Sequence, residues 1–179
     1  ETQYSALHET SELCGACHMS LWPSNALPID WTYAEWKRSA WADEGVQCQD
    51  CHMPTYEGVA APGAPVRTLH RHTFPRGGHV DFVKGTAEVE LELFAHFAGT
   101  EVEVVVENTK AGHAFPTGNA TAPTVDLIVH AYDANDVEVY TSSRSFTLTY
   151  EDAHGEITRD PTAAVAIRSD TTLQPREPR

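Results

Sequence analysis

Two copies of a five-residue pattern, Cys14-Gly15-Ala16-Cys17-His18 and Cys48-Gln49-Asp50-Cys51-His52, use every cysteine in the chain. That pattern limits the fold before any periodicity is considered. In Cys-x-x-Cys-His the two thiols can add across the two vinyl groups on one edge of a porphyrin, and the adjacent histidine can then ligate the iron on one face. Two such units predict two haem c groups. Cys14, Cys17, Cys48 and Cys51 are the thioether positions, and His18 and His52 the proximal iron ligands. A four-cysteine zinc ribbon competes with this reading. It does not require the histidine that follows each pair, and the gap from Cys17 to Cys48 exceeds ribbon spacing. The two units also sit in matching contexts, each followed by a methionine, Met19 and Met53. Structural disulfides fit less well, because a two-residue gap is redox-motif spacing rather than framework spacing.

The chain has 179 residues, enough for one large domain or two small ones, and 41% of them are apolar. Twelve basic residues stand against 26 acidic ones, a formal charge of −14. No basic nucleic-acid footprint is present. An acidic surface suits cationic partners, metal ions or mineral surfaces, and it equally serves solubility alone. No run approaches the length of a membrane span. No basic and apolar leader precedes Glu1, so the sequence reads as the mature form of an exported protein. Attachment of haem through thioethers takes place outside the cytoplasm, which implies a periplasmic, cell-surface or extracellular location.

Two regions differ in grammar. Residues 1–85 hold both patterns and all four tryptophans, with little regular alternation. Ser11 is expected to cap a short helix that carries Cys14, Cys17 and His18. Thr32 and Glu35 have capping-box spacing for a second helix running to about Ala42 and stopped at Gly45. Trp36 and Trp41 fall on it, where porphyrin contact and ordinary core packing are equal readings. Residues 57–85, rich in proline, glycine and histidine, are expected to wrap as an ordered loop over the haem region. After Gly85 the period becomes two. Val89, Leu91 and Leu93 alternate with Glu88, Glu90 and Glu92, and Val102, Val104 and Val106 with Glu101, Glu103 and Glu107. Strand-like runs follow at residues 125–131, 137–140, 145–150 and 163–167, with turn chemistry at residues 133–136 and 152–155. The fold class predicted is α+β: a small haem-organised helix and loop region, then an immunoglobulin-like antiparallel β-sandwich over residues 86–179.

The second axial ligands decide between electron carriage and catalysis. Met19 and Met53 directly follow the proximal histidines and lie on the wrong side of the ring, so histidine is the expected distal ligand. His96, His130 and His154 lie in or beside strands remote from the motifs and read as surface or core histidines. His70 and His72 share one face of an extended segment, where one can ligate while the other bonds a propionate. His79 is a weaker candidate. His8 lies six residues before Cys14. His113 sits in a glycine- and proline-bounded loop suited to aiming one side chain. The distal candidates are thus His72, His113 and His8. Two bis-histidine irons in an acidic protein should both have low reduction potentials.

The combination of Ser-Glu-Leu-Cys-x-x-Cys-His at 11–18, Tyr-Ala-Glu-Trp-Lys-x-Ser at 33–39, Gly-Val-x-Cys-Gln-Asp-Cys-His-Met-Pro at 45–54, His-x-His-x-Phe-Pro at 70–75 and Asn-x-x-Ala-Gly-His-x-Phe-Pro-Thr-Gly at 108–118 resembles bacterial multihaem cytochromes c. Within them it is similar to the cytochrome c554-like proteins, in which a haem-binding segment precedes a sandwich domain. The resemblance implies bis-histidine haems, export, and respiratory or extracellular electron transfer. It supports His72 and His113, and His8 more weakly. Larger relatives carry more haems. In them, segments resembling residues 169–177 lead into further strands, so the sandwich here is expected to lack its last strand or strands. An open edge is a template for strand addition. A homo-oligomer or homopolymer with haem pairs in line is the expected assembly, with other redox proteins or extracellular acceptors as partners. Two further classes remain open: a dihaem peroxidase or nitrogen-oxide reductase with one open haem site, and a binding module docked through its sandwich.

Overall fold

The computed structural model describes residues 5–118, 123–160 and 162–175. A single 3-10 turn, Ala6–Glu9, leads into helix α1, Glu12–Gly15, which carries the first cysteine pair's leading thiol. Strands β1 (Ser20–Leu21) and β2 (Pro28–Asp30) form a short antiparallel pair that returns the chain toward His18. Helices α2 (Thr32–Trp36) and α3 (Ala40–Asp43) follow, and α4 (Cys48–His52) holds the second motif.

Two sequence expectations need correction here. The helix expected from Thr32 to about Ala42 is two short helices. Its break lies at Ser39, whose backbone is extended and whose hydroxyl donates to the Trp36 carbonyl at 2.7 Å. That competing local bond is what serine offers in place of helix continuation. Gly45 does follow the second helix, with φ of 80°. Thr32 and Glu35 do not form a capping box. Asp30 Oδ1 accepts the Thr32 N–H at 3.0 Å instead. A reciprocal capping box is found at α4, where Gln47 and Asp50 satisfy each other's backbone N–H groups. The second correction concerns residues 57–85. Most of the first half is a hairpin, β3 (Thr55–Val59) with β4 (Val66–His70), and the second half includes helix α5, Val80–Val83. The prolines sit in the turn between β3 and β4 and in the segment before α5, and Gly58 is the one glycine among the paired residues, which are otherwise β-competent.

The attachment region is tied together by polar groups. Ser11 is fully buried and does not cap its own helix. Its hydroxyl donates to Gln47 Oε1 at 2.9 Å and accepts the Cys48 N–H at 2.9 Å, while its own N–H donates to Gln47 Oε1 at 2.8 Å. Gln49, also buried, donates to the carbonyls of Thr10 and His8 at 2.8 and 3.2 Å. These bonds bind the two motifs side by side. Tyr33 packs on Gly15, where a Cβ would come within 2.8 Å of its ring.

Beyond Gly85 the structure is antiparallel sheet. Strands β5 (Ala87–His96) and β6 (Gly99–Asn108) form one hairpin, β7 (Val125–Tyr132) and β8 (Glu138–Phe146) another. Strand β9 (Leu148–Asp152) is paired on one side by β10 (Ile157–Thr158) and on the other by β11 (Ala164–Asp170). The expected turns recur: Asp133 Oδ1 accepts the Asn135 and Val137 N–H groups, and Asp152 Oδ1 those of His154 and Glu156. Overall the fold is α+β, with short helices and separate antiparallel sheets that do not close on one another among the described residues. Register places Val89 opposite Val106, Leu91 opposite Val104 and Leu93 opposite Val102, so the middle of one face of the first hairpin is apolar. It is open to solvent, with Leu93 64% exposed. The total surface of 12490 Å² exceeds by roughly 3900 Å² what a compact protein of 19.7 kDa presents.

The two regions meet through Leu27, packed against Tyr150 and Ala164, and through bonds from Tyr150 Oη to the Pro28 carbonyl and Asn25 Nδ2 to the Ala164 carbonyl. Ser11→Ala would leave the Cys48 N–H buried without an acceptor. A loss of about 1–3 kcal/mol is expected in chemical denaturation, with α4 the first element to lose amide protection.

Candidate functional site

The histidine of each Cys-x-x-Cys-His motif is fixed through Nδ1, but by different groups. His18 Nδ1 lies 3.0 Å from Asp30 Oδ2, and His52 Nδ1 lies 2.8 Å from the Pro75 carbonyl. An acceptor at Nδ1 puts the proton there and leaves the Nε2 lone pair for a metal. His113 is set the same way, with Nδ1 2.9 Å from the Ala114 carbonyl. Burial lowers the pKa of both His52 and His113, so each ring is neutral and able to ligate at neutral pH.

His52 and His113 face each other. Their ring centroids are 6.1 Å apart and their planes 23° from parallel. Two imidazoles bound to one metal at the ordinary bond length of about 2.0 Å have ring centres about 6 Å apart. The centroid spacing thus matches that of two imidazoles sharing one metal. Phe82 packs against the His52 ring with centroids 5.1 Å apart, and the Lys110 ammonium lies over Phe82 at 5.6 Å.

The His113 loop is held from both regions of the chain. Asn108, the buried last residue of β6, donates from Nδ2 to the His113 carbonyl at 2.8 Å and accepts the Ala111 N–H at 3.0 Å. Glu35 on α2 accepts from the Ala114 N–H at 3.2 Å and from the Thr117 hydroxyl at 2.6 Å. Trp41 on α3 packs against Gly112, where a Cβ would stand 3.0 Å from its ring. On the far side, Phe115 exchanges two backbone bonds with Leu173.

The remaining histidines are scattered. His8, His70 and His72 are all exposed. His70 Nδ1 lies 2.8 Å from the Met53 carbonyl, the pattern shared by the proximal set, whereas His8 Nδ1 is 3.3 Å from the Ser5 carbonyl. His72 is near Phe74 only, at 5.9 Å. His79 accepts a backbone N–H at Nδ1, from Arg76 at 3.1 Å, which puts its proton on Nε2 and disfavours ligation there. His96 and His130 pair with Glu101 and Glu138. Unlike His52, His18 has no imidazole ring partner among the described residues.

All four cysteines are free thiols. Burial pushes Cys48 up to about 11, helped by the adjacent Cys14, and burial and Asp50 raise Cys51. Among the described residues no three His, Cys, Asp or Glu side chains converge as a metal-ion cluster. The donor set instead suits a group attached at the cysteines and ligated by paired imidazoles.

Sequence reasoning passed over four supporting residues. Pro75 and Asp30 are the acceptors behind the proximal histidines, and Glu35 and Trp41 brace the distal loop. Pro75 and Glu35 fall inside the recognised motifs, but the atoms they serve lie 23 and 79 residues away.

The fold and this site together define a multihaem cytochrome c-like architecture. The chain matches the crystal structure of a penta-haem cytochrome c552 from Thermochromatium tepidum with a TM-score of 0.72 and 25% sequence identity. The match covers 96% of this chain and 43% of that one, so the chain spans less than half the length of its neighbour. No protein-family model and no curated protein sequence matches it.

Burial raises the Glu35 carboxyl above the ordinary carboxylate range, against the lowering bonds from Thr117 and Ala114, and Asp170 and Asp30 add to the rise. A carboxyl raised on folding contributes stability below its unfolded value of 4.5 and loses it as pH climbs through the folded value. Glu35→Gln cannot ionise. Its melting temperature should equal or exceed that of the unchanged chain at neutral pH, and the two should converge at low pH in thermal denaturation.

Proposed function

We propose that the chain is a dihaem c-type cytochrome that carries electrons. Haem c is attached at Cys14 and Cys17 with His18 proximal, and at Cys48 and Cys51 with His52 proximal. His113 is the distal ligand of the second iron. The observation that carries this is the facing pair of imidazoles, each with Nδ1 committed to a backbone carbonyl. The bound groups supply one-electron chemistry. The protein's own part is to aim the ligands, to shield the second site with Phe82 and to set charge around each iron. The first iron's distal ligand comes from the exposed set His8, His70 and His72, of this chain or of a second copy.

Residues 1–85 serve as the haem-bearing region and residues 86–179 as an immunoglobulin-like sandwich left open. Two features support assembly by strand complementation. One is the uncovered apolar face of β5 and β6. The other is a cleft of about 450 Å³ lined by Val104, Val106, Leu127, Phe146 and Leu173. An extended segment from a second copy would cover both and set haem pairs in line, giving an extracellular conductive filament. Covalent haem attachment implies export, and among the described residues no helix is long and apolar enough to cross a membrane. Other redox proteins or extracellular acceptors are the partners of such a carrier.

The alternative is a dihaem redox enzyme of peroxidase or nitrogen-oxide reductase type, favoured by the missing ring partner of His18. Absorption spectra separate the two. Two low-spin haems with no high-spin band are expected, and a high-spin component that binds small ligands would favour the enzyme. For assembly, sedimentation should show growth with concentration, and a particle that stays monomeric at every concentration contradicts the filament.

A further inference from the structure

The two proximal histidines are backed by groups of different charge, and the surroundings of the two rings differ in the same sense. We infer that the haem on His18 has the lower reduction potential of the pair and that the Asp30 carboxylate sets much of the difference. This rests on the reading that both motifs carry haem.

A carboxylate accepting from an imidazole Nδ1–H makes that imidazole a stronger donor to a metal at Nε2, which favours the ferric over the ferrous state. His18 has such a partner in Asp30, at 3.0 Å. His52 and His113 have neutral carbonyls. Asp30 is a fixed charge: its side chain is 14% exposed, its Oδ1 is held by the Thr32 N–H, and its backbone pairs with Ser20.

The charge near the second ring acts in the same direction. His52 is half-buried against Phe82. Lys110 sits above that phenyl ring, tethered by bonds to the Phe82 and Lys84 carbonyls at 2.7 and 3.3 Å. A cation there favours the ferrous state on the His52 side. Two separate influences thus separate the two potentials with one sign, and an electron shared by the pair would reside mainly beside His52.

The test is a spectroelectrochemical titration of the full haem-loaded chain and its Asp30→Asn, Asp30→Glu and His113→Met variants. Mass measurement first counts attached haems, and a chain with none overturns the reading beneath this inference as well as the inference. With haems present, Asp30→Asn should raise the lower midpoint by a tenfold change in the ferric-to-ferrous ratio at fixed potential, about 59 mV for a one-electron couple. The higher midpoint should move far less. Asp30→Glu, which keeps the charge, should restore the lower value. His113→Met marks the other haem, because methionine ligation raises the potential. It should move the upper wave alone. Equal shifts of both waves in Asp30→Asn, no shift, or a shift of the wave that His113→Met moves would overturn the inference. Should Asp30→Asn fail to load haem, His113→Met still decides the order, and its action on the lower wave refutes it.

Discussion

The facing of His52 and His113 is the contact on which the rest of the structure turns. The two rings come from parts of the chain with nothing local in common, a five-residue helix and a loop after a β-strand. To hold their centres 6.1 Å apart, the molecule must dock its attachment region against its sheet region. Several of the contacts that do this converge on one loop. Asn108 holds it from the sheet, Glu35 and Trp41 from the helices, and Leu173 from the C-terminal side. A similar economy joins the two attachment motifs, where the hydroxyl of one buried serine satisfies groups from the other motif's helix. In so small a region, polar bonds take much of the place of a large apolar core.

The sheet region stands in a different relation to water. Its register is well determined, because a one-residue slip would exchange valines for glutamates along a whole face. Yet that apolar face is bare, and the surface exceeds compact scaling by thousands of square ångströms. Opposite it, Glu88 lies across from Glu107 and Glu92 across from Glu103, pairs that repel unless solvated. The hairpin is thus marked for one wet side and one covered side. The porphyrins and neighbouring chains of the proposed assembly are what such a surface is built to meet.

Much of this was legible in the sequence. The strand-like runs located β5 to β8, and the aspartate turns closed two connections. His113 stood out because glycine and proline bracket it. What could not be read were contacts whose partners lie far apart in sequence. Ser11 looked like a helix cap because the cap and the Gln47 contact use the same hydroxyl. Glu35 looked like a capping-box residue because its spacing from Thr32 is right, although its carboxylate serves Ala114 and Thr117. Residues 57–85 read as loop because proline and glycine recur along the whole stretch, while the hairpin needs only five paired residues on each side. Asp30 carried no local signal at all. It acts through a side chain twelve positions away.

The most direct measurement is anomalous diffraction at the iron absorption edge on crystals of the purified protein. The account predicts an iron peak between His52 and His113, bonded to both Nε2 atoms, and a second beside His18. A His113 ring turned away from an iron on His52, or a zinc edge in place of an iron one, would contradict it.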